Sequence, residues 1–363
     1  MSPAFPRKDL EELLNIDRKL WEGLRDARIF LTGASGFFGR WMLESLFLAN
    51  ERLNLNATAT VLVRNRDGFV QKAQHLAECP ALHFVSGDVR DFAFLQGGFT
   101  HVVHLAASSD AAIQAADPQD LFSVIVNGTE RVLAFARQAE VRRFLFVSSG
   151  AVYGPQPPGL TGIPENYPGA PDCTNPKSAY GTSKRAAEQL CILHNASGGM
   201  EATIARPFAF IGPGMPLDSH FAAGNFIRDG IKGGPIKING DGTPLRSYLY
   251  AADLTWWLWK ILVEGAPGRA YNVGGDEPLS IKELAEAVSG CFSPSPQVHV
   301  QGRPDLGKNP ERYVPDITRA WNELGLSVRI PLKEALQRTI AWHSGMNNKK
   351  IDWHILSEET CIG

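Results

Sequence analysis

Tyr180 and Lys184 stand four residues apart in SAYGTSKRAAEQL, a segment with helical apolar spacing. Residues four apart project from one face of a helix. A free tyrosine, with a pKa near ~10, is a poor base at neutral pH. A neighbouring ammonium favours the phenolate and pulls that pKa down, and a further positive charge nearby would pull it further. Such a pair is suited to moving a proton on or off an alcohol oxygen while a hydride moves at the attached carbon. Upstream, the apolar run in RFLFVSSGAVYG ends in Ser148 and Ser149. Hydroxyls at the C-terminal end of a strand would face the same crevice. Ser149 is the candidate to hydrogen-bond the reacting oxygen and share the proton with Tyr180. Ser148 has the weaker claim.

The hydride needs a carrier, and RIFLTGASGFFG (residues 28–39) has the form of a carrier site. Ile29, Phe30 and Leu31 read as a buried strand, and a helical pattern opens at Arg40. Between them Gly33, Gly36 and Gly39 recur at a three-residue spacing. The first glycine permits the tight turn and the second lets backbone approach a pyrophosphate. The third lets helix pack on strand, with the helix N-terminus facing the phosphates. Ser35, Phe37 and Phe38 share this turn and are candidate cofactor contacts. The second strand, Thr60-Val61-Leu62-Val63, ends in Arg64-Asn65-Arg66. An acid there would bind the ribose 2′-hydroxyl of NAD, whereas an arginine accepts the 2′-phosphate of NADP. The nearest acid, Asp67, stands one turn late. The expectation is NADP or NAD, leaning to NADP through Arg64.

These residues need a scaffold, and the chain alternates accordingly. Apolar strand runs are predicted at Ile29–Leu31, Ala59–Val63, His83–Val85, Val102–Leu105, Phe144–Val147, Thr203–Ala205 and Tyr271–Val273. Helical patterns lie between most of them, at Trp41–Ala49, Val124–Gln138 and Tyr180–His194. Alternation of this kind implies an α/β protein with a Rossmann-type, doubly wound parallel sheet covered on both faces. Residues 1–26 read as an N-terminal helical extension, with one helix over Leu10–Leu24. After Arg206 the chain turns rich in Gly and Pro, and a similar mix recurs from Glu277, with helices near Ile281–Ser289 and Leu332–His343. The expected division is a dinucleotide domain of 27–207 with 245–275, and a smaller mixed α/β substrate lobe of 208–244 with 276–345. Such a lobe would sit over the C-terminal edge of the sheet, where open α/β sheets bind ligands. A tail of 346–363 shows no period.

The 363 residues suffice for a large core. A formal net charge of −2 offers no field for nucleic acid or an anionic membrane. No basic stripe carries interleaved aromatics, so a nucleic-acid-binding module is excluded. The five cysteines are scattered and form no CxxC, which favours a reducing compartment and disfavours a structural zinc site. The charged start of the chain lacks the apolar core of a signal peptide, and no apolar run reaches membrane-spanning length. The cytoplasm is the expected location.

Taken in order, TGASGFFG, SGDVRD, HLAA, VNGT, SSGAVYG, YGTSK, RPFAFIGPG, GDGTPLRSYLYAADL and YNVGGDEPLSIKELAE make the chain resemble the extended short-chain dehydrogenases/reductases. The resemblance is to the NAD-dependent epimerase/dehydratase family, and it spans roughly Arg28 to His343. It implies an enzyme acting on a nucleotide-diphosphate sugar. By the same resemblance Asp88 and Val89 flank the adenine. Leu105, Ala106 and Ala107 line the phosphate and ribose path, with Pro207 also at the cofactor. Tyr180 and Lys184 hold the nicotinamide ribose and carry the proton. Ser108, Ser149, Ala151, Arg246 and Arg312 are the expected substrate contacts, with the two arginines gripping the diphosphate.

The departures are as informative. Ala209 stands where many relatives have an Asn on the substrate phosphates, and Ser247 where many have Asp. Dehydratases carry an Asp-Glu pair directly before VYG, and decarboxylases a Glu. This chain has Gly150 and Ala151, which cannot exchange protons. Glu165 is the one nearby acid that could substitute. The expected function is an epimerase or 4-keto reductase working at C4. Two alternatives stand: a 4,6-dehydratase or decarboxylase with displaced acid and base, and a non-catalytic dinucleotide sensor. Relatives also pair two helices between subunits, so a homodimer is expected through Val124–Gln138 and Tyr180–His194. Ala134, Phe135, Ala186, Ala187 and Leu190 are the candidates to face outward.

Overall fold

The computed structural model describes residues 4–105, 116–219, 221–305, 307 and 309–345. In chain order its strands are β1 (Arg28–Thr32), β2 (Thr58–Val63), β3 (Leu82–Ser86), β4 (His101–His104), β5 (Arg143–Val147), β6 (Glu201–Pro207) and β7 (Ala209–Ile211). They continue as β8 (Ile236–Ile238), β9 (Leu245–Arg246), β10 (Tyr248–Tyr250), β11 (Ala270–Val273), β12 (Leu279–Ser280), β13 (Val298–Val300) and β14 (Arg312–Tyr313). Seven of these form one sheet in the order β11-β6-β5-β4-β1-β2-β3, with every pairing parallel. The order reverses between β1 and β4, which opens a crevice at the strands' C-terminal ends.

Both faces are covered, which is why the strands read as apolar runs. Side chains alternate sides along a strand. Ile29, Leu31, Leu145 and Val147 join a core with Trp41, Met42, Trp257 and Leu258. Phe30, Phe144 and Phe146 point the other way, into a core with Val132, Phe135 and Ala187. The first face is covered by helices Phe37–Leu53 and Ala251–Glu264, the second by Pro118–Gln138 and Ala179–Ala196. Phe135 and Ala187, expected to face outward, are thus fully buried within the chain, because the sheet claims that side of their helices. The large apolar groups these two helices do expose are Phe122 and Leu193.

The predicted N-terminal helix is two helices, Arg7–Ile16 and Arg18–Glu22. Asp17 breaks the run and caps the second helix, accepting the Leu20 N–H at 3.0 Å. The extension is fastened to the body by polar groups. Asp9 is buried and accepts hydrogen bonds from Tyr250 and Arg338, and Arg338 also meets Glu12 at 2.7 Å and Glu334 at 2.5 Å. Phe5 stacks on Trp41 with ring centroids 4.4 Å apart. Trp41 Nε1 in turn donates to the Pro213 carbonyl at 3.0 Å, and Arg40 to the Gly214 carbonyl at 3.0 Å. The extension therefore backs the 211–215 loop. Among the described residues, no helix is long and apolar enough to cross a membrane.

At the reversal point β1 and β4 are tied by His104. Thr129 Oγ1 donates to the Ile125 carbonyl at 2.6 Å, so its one proton is spent. His104 Nε2 must then be the donor in its 3.0 Å contact with Thr129, which leaves Nδ1 to accept from Thr32 Oγ1 at 2.7 Å. Thr32 Oγ1 also receives the Leu105 N–H at 3.2 Å. The ring is neutral here, and burial pushes its pKa from 6.5 down to about 3, with Lys184 adding to the push. A depressed histidine pKa stabilises the fold above the unfolded value and less so as pH falls towards the folded one. Stability is expected to drop by up to about 1.4 kcal/mol per pH unit below pH ~6.5 from this group alone. Urea unfolding of the native chain and of His104→Gln across acid pH tests this. The variant should lose that share of the slope, and parallel profiles would contradict the assignment.

Candidate active site

The crevice is a cavity of ≈ 1320 Å³ running from the end of β2 past the glycine turn to β14. That volume exceeds a typical site for one small ligand. Its first wall is the turn after β1. Gly33 has φ +74°, and a Cβ there would lie 2.8–2.9 Å from Leu105. A Cβ on Gly39 would lie 2.6 Å from both Ala34 Cα and the Gly33 carbonyl oxygen. Both approaches are backbone against backbone, so only glycine fits. The helix Phe37–Leu53 starts at Gly36 with no side-chain cap, leaving its first N–H groups for an anion in the cavity. This cradle fits a dinucleotide pyrophosphate. Phe37 and Phe38 pack on Phe210, at 5.2 and 4.6 Å between centroids, and continue the wall toward the far end.

At the adenosine end the lining includes Leu62, Val63, Arg64, Lys72, Gly87, Asp88 and Val89. Asp88 is held by Arg90 through 2.8 and 2.9 Å contacts, and those bonds keep its carboxyl below the ordinary range. Arg66 departs from its expected place beside the ribose. It opens the helix Arg66–Lys72, and its guanidinium stacks over the Phe84 ring at 5.1 Å. The same helix brings Lys72 to the cavity one coil later, a residue that sequence reasoning missed.

At the other end Ser149, Tyr180 and Lys184 converge on the cavity. Strand β5 ends at Val147 and delivers the two serines. The helix Ala179–Ala196 packs alongside, so Tyr180 and Lys184 face them. Lys184 Nζ donates to the Val147 carbonyl at 2.7 Å and lies 4.8 Å from the centre of the Phe146 ring. Burial lowers its pKa from 10.5 to about 8. Tyr180 differs from expectation. Burial raises its pKa, and the group that opposes the rise is the Ser149 hydroxyl rather than Lys184. Within the chain alone, Tyr180 is a protonated phenol, and a further cation must bring out the phenolate. Ser148 also lines the cavity, and its buried hydroxyl has no partner.

Pro207, Ala151, Arg246, Arg312 and Ala209 line the cavity. The arginines come from paired short strands, with Arg312 in register with Leu245 and Tyr313 with Arg246. Ala106, Ala107 and Ser108 lie outside the described residues. Ser247 is fully buried, away from the cavity, with an unpartnered hydroxyl. Glu165 does not line the cavity. Its carboxylate accepts the Asn272 N–H at 2.9 Å and lies 3.8 Å from Arg319, anchoring its loop to β11. The carboxylates among the described lining residues, Asp88, Asp117 and Asp120, are all committed elsewhere. Asp120 pairs with Arg90 at 2.5 Å, and Asp117 caps the helix Pro118–Gln138.

Sequence reasoning also missed Tyr313 and Phe208. Their rings pack in a tilted pair with centroids 4.6 Å apart, and the Tyr313 hydroxyl lies 3.5 Å from Ser149 Oγ. A Cβ on Gly150 would fall 2.7 Å from that hydroxyl and 2.8 Å from the Phe208 ring. The room in which a side chain at position 150 would stand is filled.

The family model described as "NAD dependent epimerase/dehydratase family" matches residues 29–274, and the chain belongs to that family. Relatives include UDP-glucuronic acid decarboxylase 5 of Arabidopsis thaliana, 28% identical over 310 residues, covering 85% of this chain and 87% of that protein. They also include dTDP-glucose 4,6-dehydratase of Actinoplanes sp., 26% identical over 325 residues, covering 87% of this chain and 97% of that protein. Among solved structures, DesIV, a dTDP-glucose 4,6-dehydratase of Streptomyces venezuelae with NAD and TYD bound, superposes with a TM-score of 0.72 at 26% identity. That match covers 88% of this chain and 97% of DesIV. The chain is thus a nucleotide-sugar epimerase/dehydratase/decarboxylase-family enzyme with a nicotinamide dinucleotide site.

Lys184 loses its ammonium as pH rises through about 8. A hydrogen bond from a charged donor is worth more than one from a neutral donor. Dinucleotide affinity is therefore expected to fall about tenfold from neutral pH to well above that midpoint. Calorimetric titration checks it. Lys184→Met should show weaker binding with no such fall, and an equal fall in the variant would contradict the role.

Proposed function

We propose that the enzyme moves one hydride and one proton at a carbinol carbon, C4, of a sugar carried on a nucleoside diphosphate. Either it returns the hydride to the opposite face, as a 4-epimerase, or it delivers hydride to a 4-ketone, as a reductase. The observation that carries this reading is the absence of a free carboxylate among the described residues at the sugar end of the cavity. Ser149, Tyr180 and Lys184 supply what a carbinol oxidation or ketone reduction needs. Removing water across C5 and C6 needs a further acid and base, and Gly150 and Ala151 have neither.

The bound nicotinamide dinucleotide supplies the hydride acceptor or donor. Tyr180 holds or gives the proton at the sugar oxygen, and Ser149 hydrogen-bonds the same oxygen. Lys184, fixed by the Val147 carbonyl and Phe146, has protons left for the nicotinamide ribose. Arg246 and Arg312 meet the diphosphate. Product mass from the purified enzyme given hexose nucleotides, and separately 4-keto-hexose nucleotides with reduced dinucleotide, tests the reading. An unchanged mass with inverted stereochemistry indicates the epimerase, and a gain of two hydrogens with cofactor consumption the reductase. Loss of one water would overturn both. The names of the relatives favour a second reading, dehydration or decarboxylation by groups from outside the usual motif. Loss of water or of carbon dioxide would establish it.

For the cofactor we favour NADP(H). Arg64 and Lys72 bring two cations to the adenosine end, and the nearby Asp88 charge is already taken by Arg90. Such a site draws a 2′-phosphate rather than repelling it. Titration with both oxidised dinucleotides should show tighter NADP binding. Arg64→Ala should weaken NADP by about tenfold and leave NAD nearly unchanged. Tighter NAD binding, unaffected by Arg64→Ala, would reject this. A homodimer is also part of the proposal, with Phe122 and Leu193 on the face that a second copy would cover.

A further inference from the structure

Position 150 is a glycine, yet the room above it is not open. The Tyr313 hydroxyl stands there, carried in by β14 from far along the chain. Its ring is held by Phe208 on one side, while the Arg246 guanidinium lies 5.8 Å from its centre. Tyr313 lines the same cavity as Ser149 and Tyr180, and its hydroxyl is 3.5 Å from Ser149 Oγ. That distance is at the outer edge of a hydrogen bond. Catalytic hydrogen bonds are often this long before substrate arrives and tighten in the complex.

The hydrogen-bond inventory at Ser149 leaves a lone pair for Tyr313 to donate to. A serine hydroxyl has two lone pairs and one proton. The Ala151 N–H takes one lone pair, at 3.2 Å. Tyr313 keeps its proton at neutral pH, because burial raises its pKa. It can therefore donate to the second lone pair. Both acceptor sites on Ser149 are then filled, and its own O–H must be given away. Tyr180 lines the same cavity and is the phenol that this proton can serve.

We propose that Tyr313 is a positioning residue for Ser149: its O–H, standing in the room over Gly150, donates to Ser149 Oγ and commits the serine proton to Tyr180. The inference rests on the reading of Tyr180 as the proton carrier. A donor directed at the tyrosine oxygen favours the phenolate. The relay of Tyr313 to Ser149 to Tyr180 thus offsets part of the burial that keeps Tyr180 protonated. It does so with hydroxyls alone, where relatives place carboxylates. No proton needs to leave Tyr313, whose share is orientation.

The test is a tyrosinate titration by ultraviolet difference absorbance on the protein loaded with oxidised dinucleotide. The native chain should show a lowest transition that is missing from Tyr180→Phe. In Tyr313→Phe that transition should move to higher pH, so that tyrosinate at a fixed pH below the midpoint falls about threefold to tenfold. Dinucleotide affinity should be unchanged, which verifies the fold. In a Ser149→Ala background, adding Tyr313→Phe should have no further effect. A transition lost in Tyr180→Phe but unmoved in Tyr313→Phe overturns the proposal alone. So does an equal shift in the Ser149→Ala background. A low transition that survives in Tyr180→Phe overturns the reading of Tyr180 and the proposal with it.

Discussion

The site depends on one buried tie, the hydrogen bonding of the His104 ring between Thr32 and Thr129. It joins the ends of β1 and β4, the neighbouring strands between which the sheet order reverses. Beyond this tie, Gly33 and Leu105 come so close that a methyl group would not fit between them. The glycine turn, the start of helix Phe37–Leu53 and the floor of the cavity all follow from that approach. Since the imidazole must be neutral to accept from Thr32, the geometry of the cofactor cradle is coupled to the protonation of a residue that touches no ligand.

The far end of the cavity follows a different logic. Among the described residues, the carboxylates that line the cavity are spent on structure, Asp88 and Asp120 on Arg90 and Asp117 on a helix cap, and Glu165 is spent on the β11 backbone. The described groups that line the sugar end are hydroxyls, an amine and guanidinium ions. Hydroxyls with raised pKa values donate and orient readily but abstract carbon-bound protons poorly. The proposed reaction suits a site of this composition, because the carbinol O–H becomes acidic as the hydride leaves its carbon and a tyrosine can then take the proton.

All seven strands of the main sheet were legible in the sequence: the central ones are buried on both faces and read as apolar runs, and the edge strand β3 kept the short run Phe84–Val85 although His83 and Ser86 are exposed. The Tyr180–Lys184 pair and the glycine turn were legible for a related reason: each acts within one turn or one helix. Asp17 was missed as a break because a polar residue fits the exposed side of a helix as well as a cap. Glu165 was read as a free acid because its partner, the Asn272 N–H, lies 107 residues away. Tyr313 was hidden in the same way, 164 residues from Ser149. Its place is set by the pairing of β14 with β9, which no local pattern reveals. Phe135 and Ala187 were assigned to the outer side because amphipathic spacing shows that a helix has two faces but not which one the sheet takes.

The proposed chemistry stays at one carbinol carbon and its oxygen. Turnover of a hexose nucleotide in deuterium oxide, followed by proton and deuterium magnetic resonance of the product, tests it most directly. Hydride that leaves and returns through the cofactor, or arrives from it, never exchanges with solvent. The expected product carries no deuterium on any carbon. Deuterium at C5 would mean that a carbon-bound proton had been removed and replaced, and that would contradict the account.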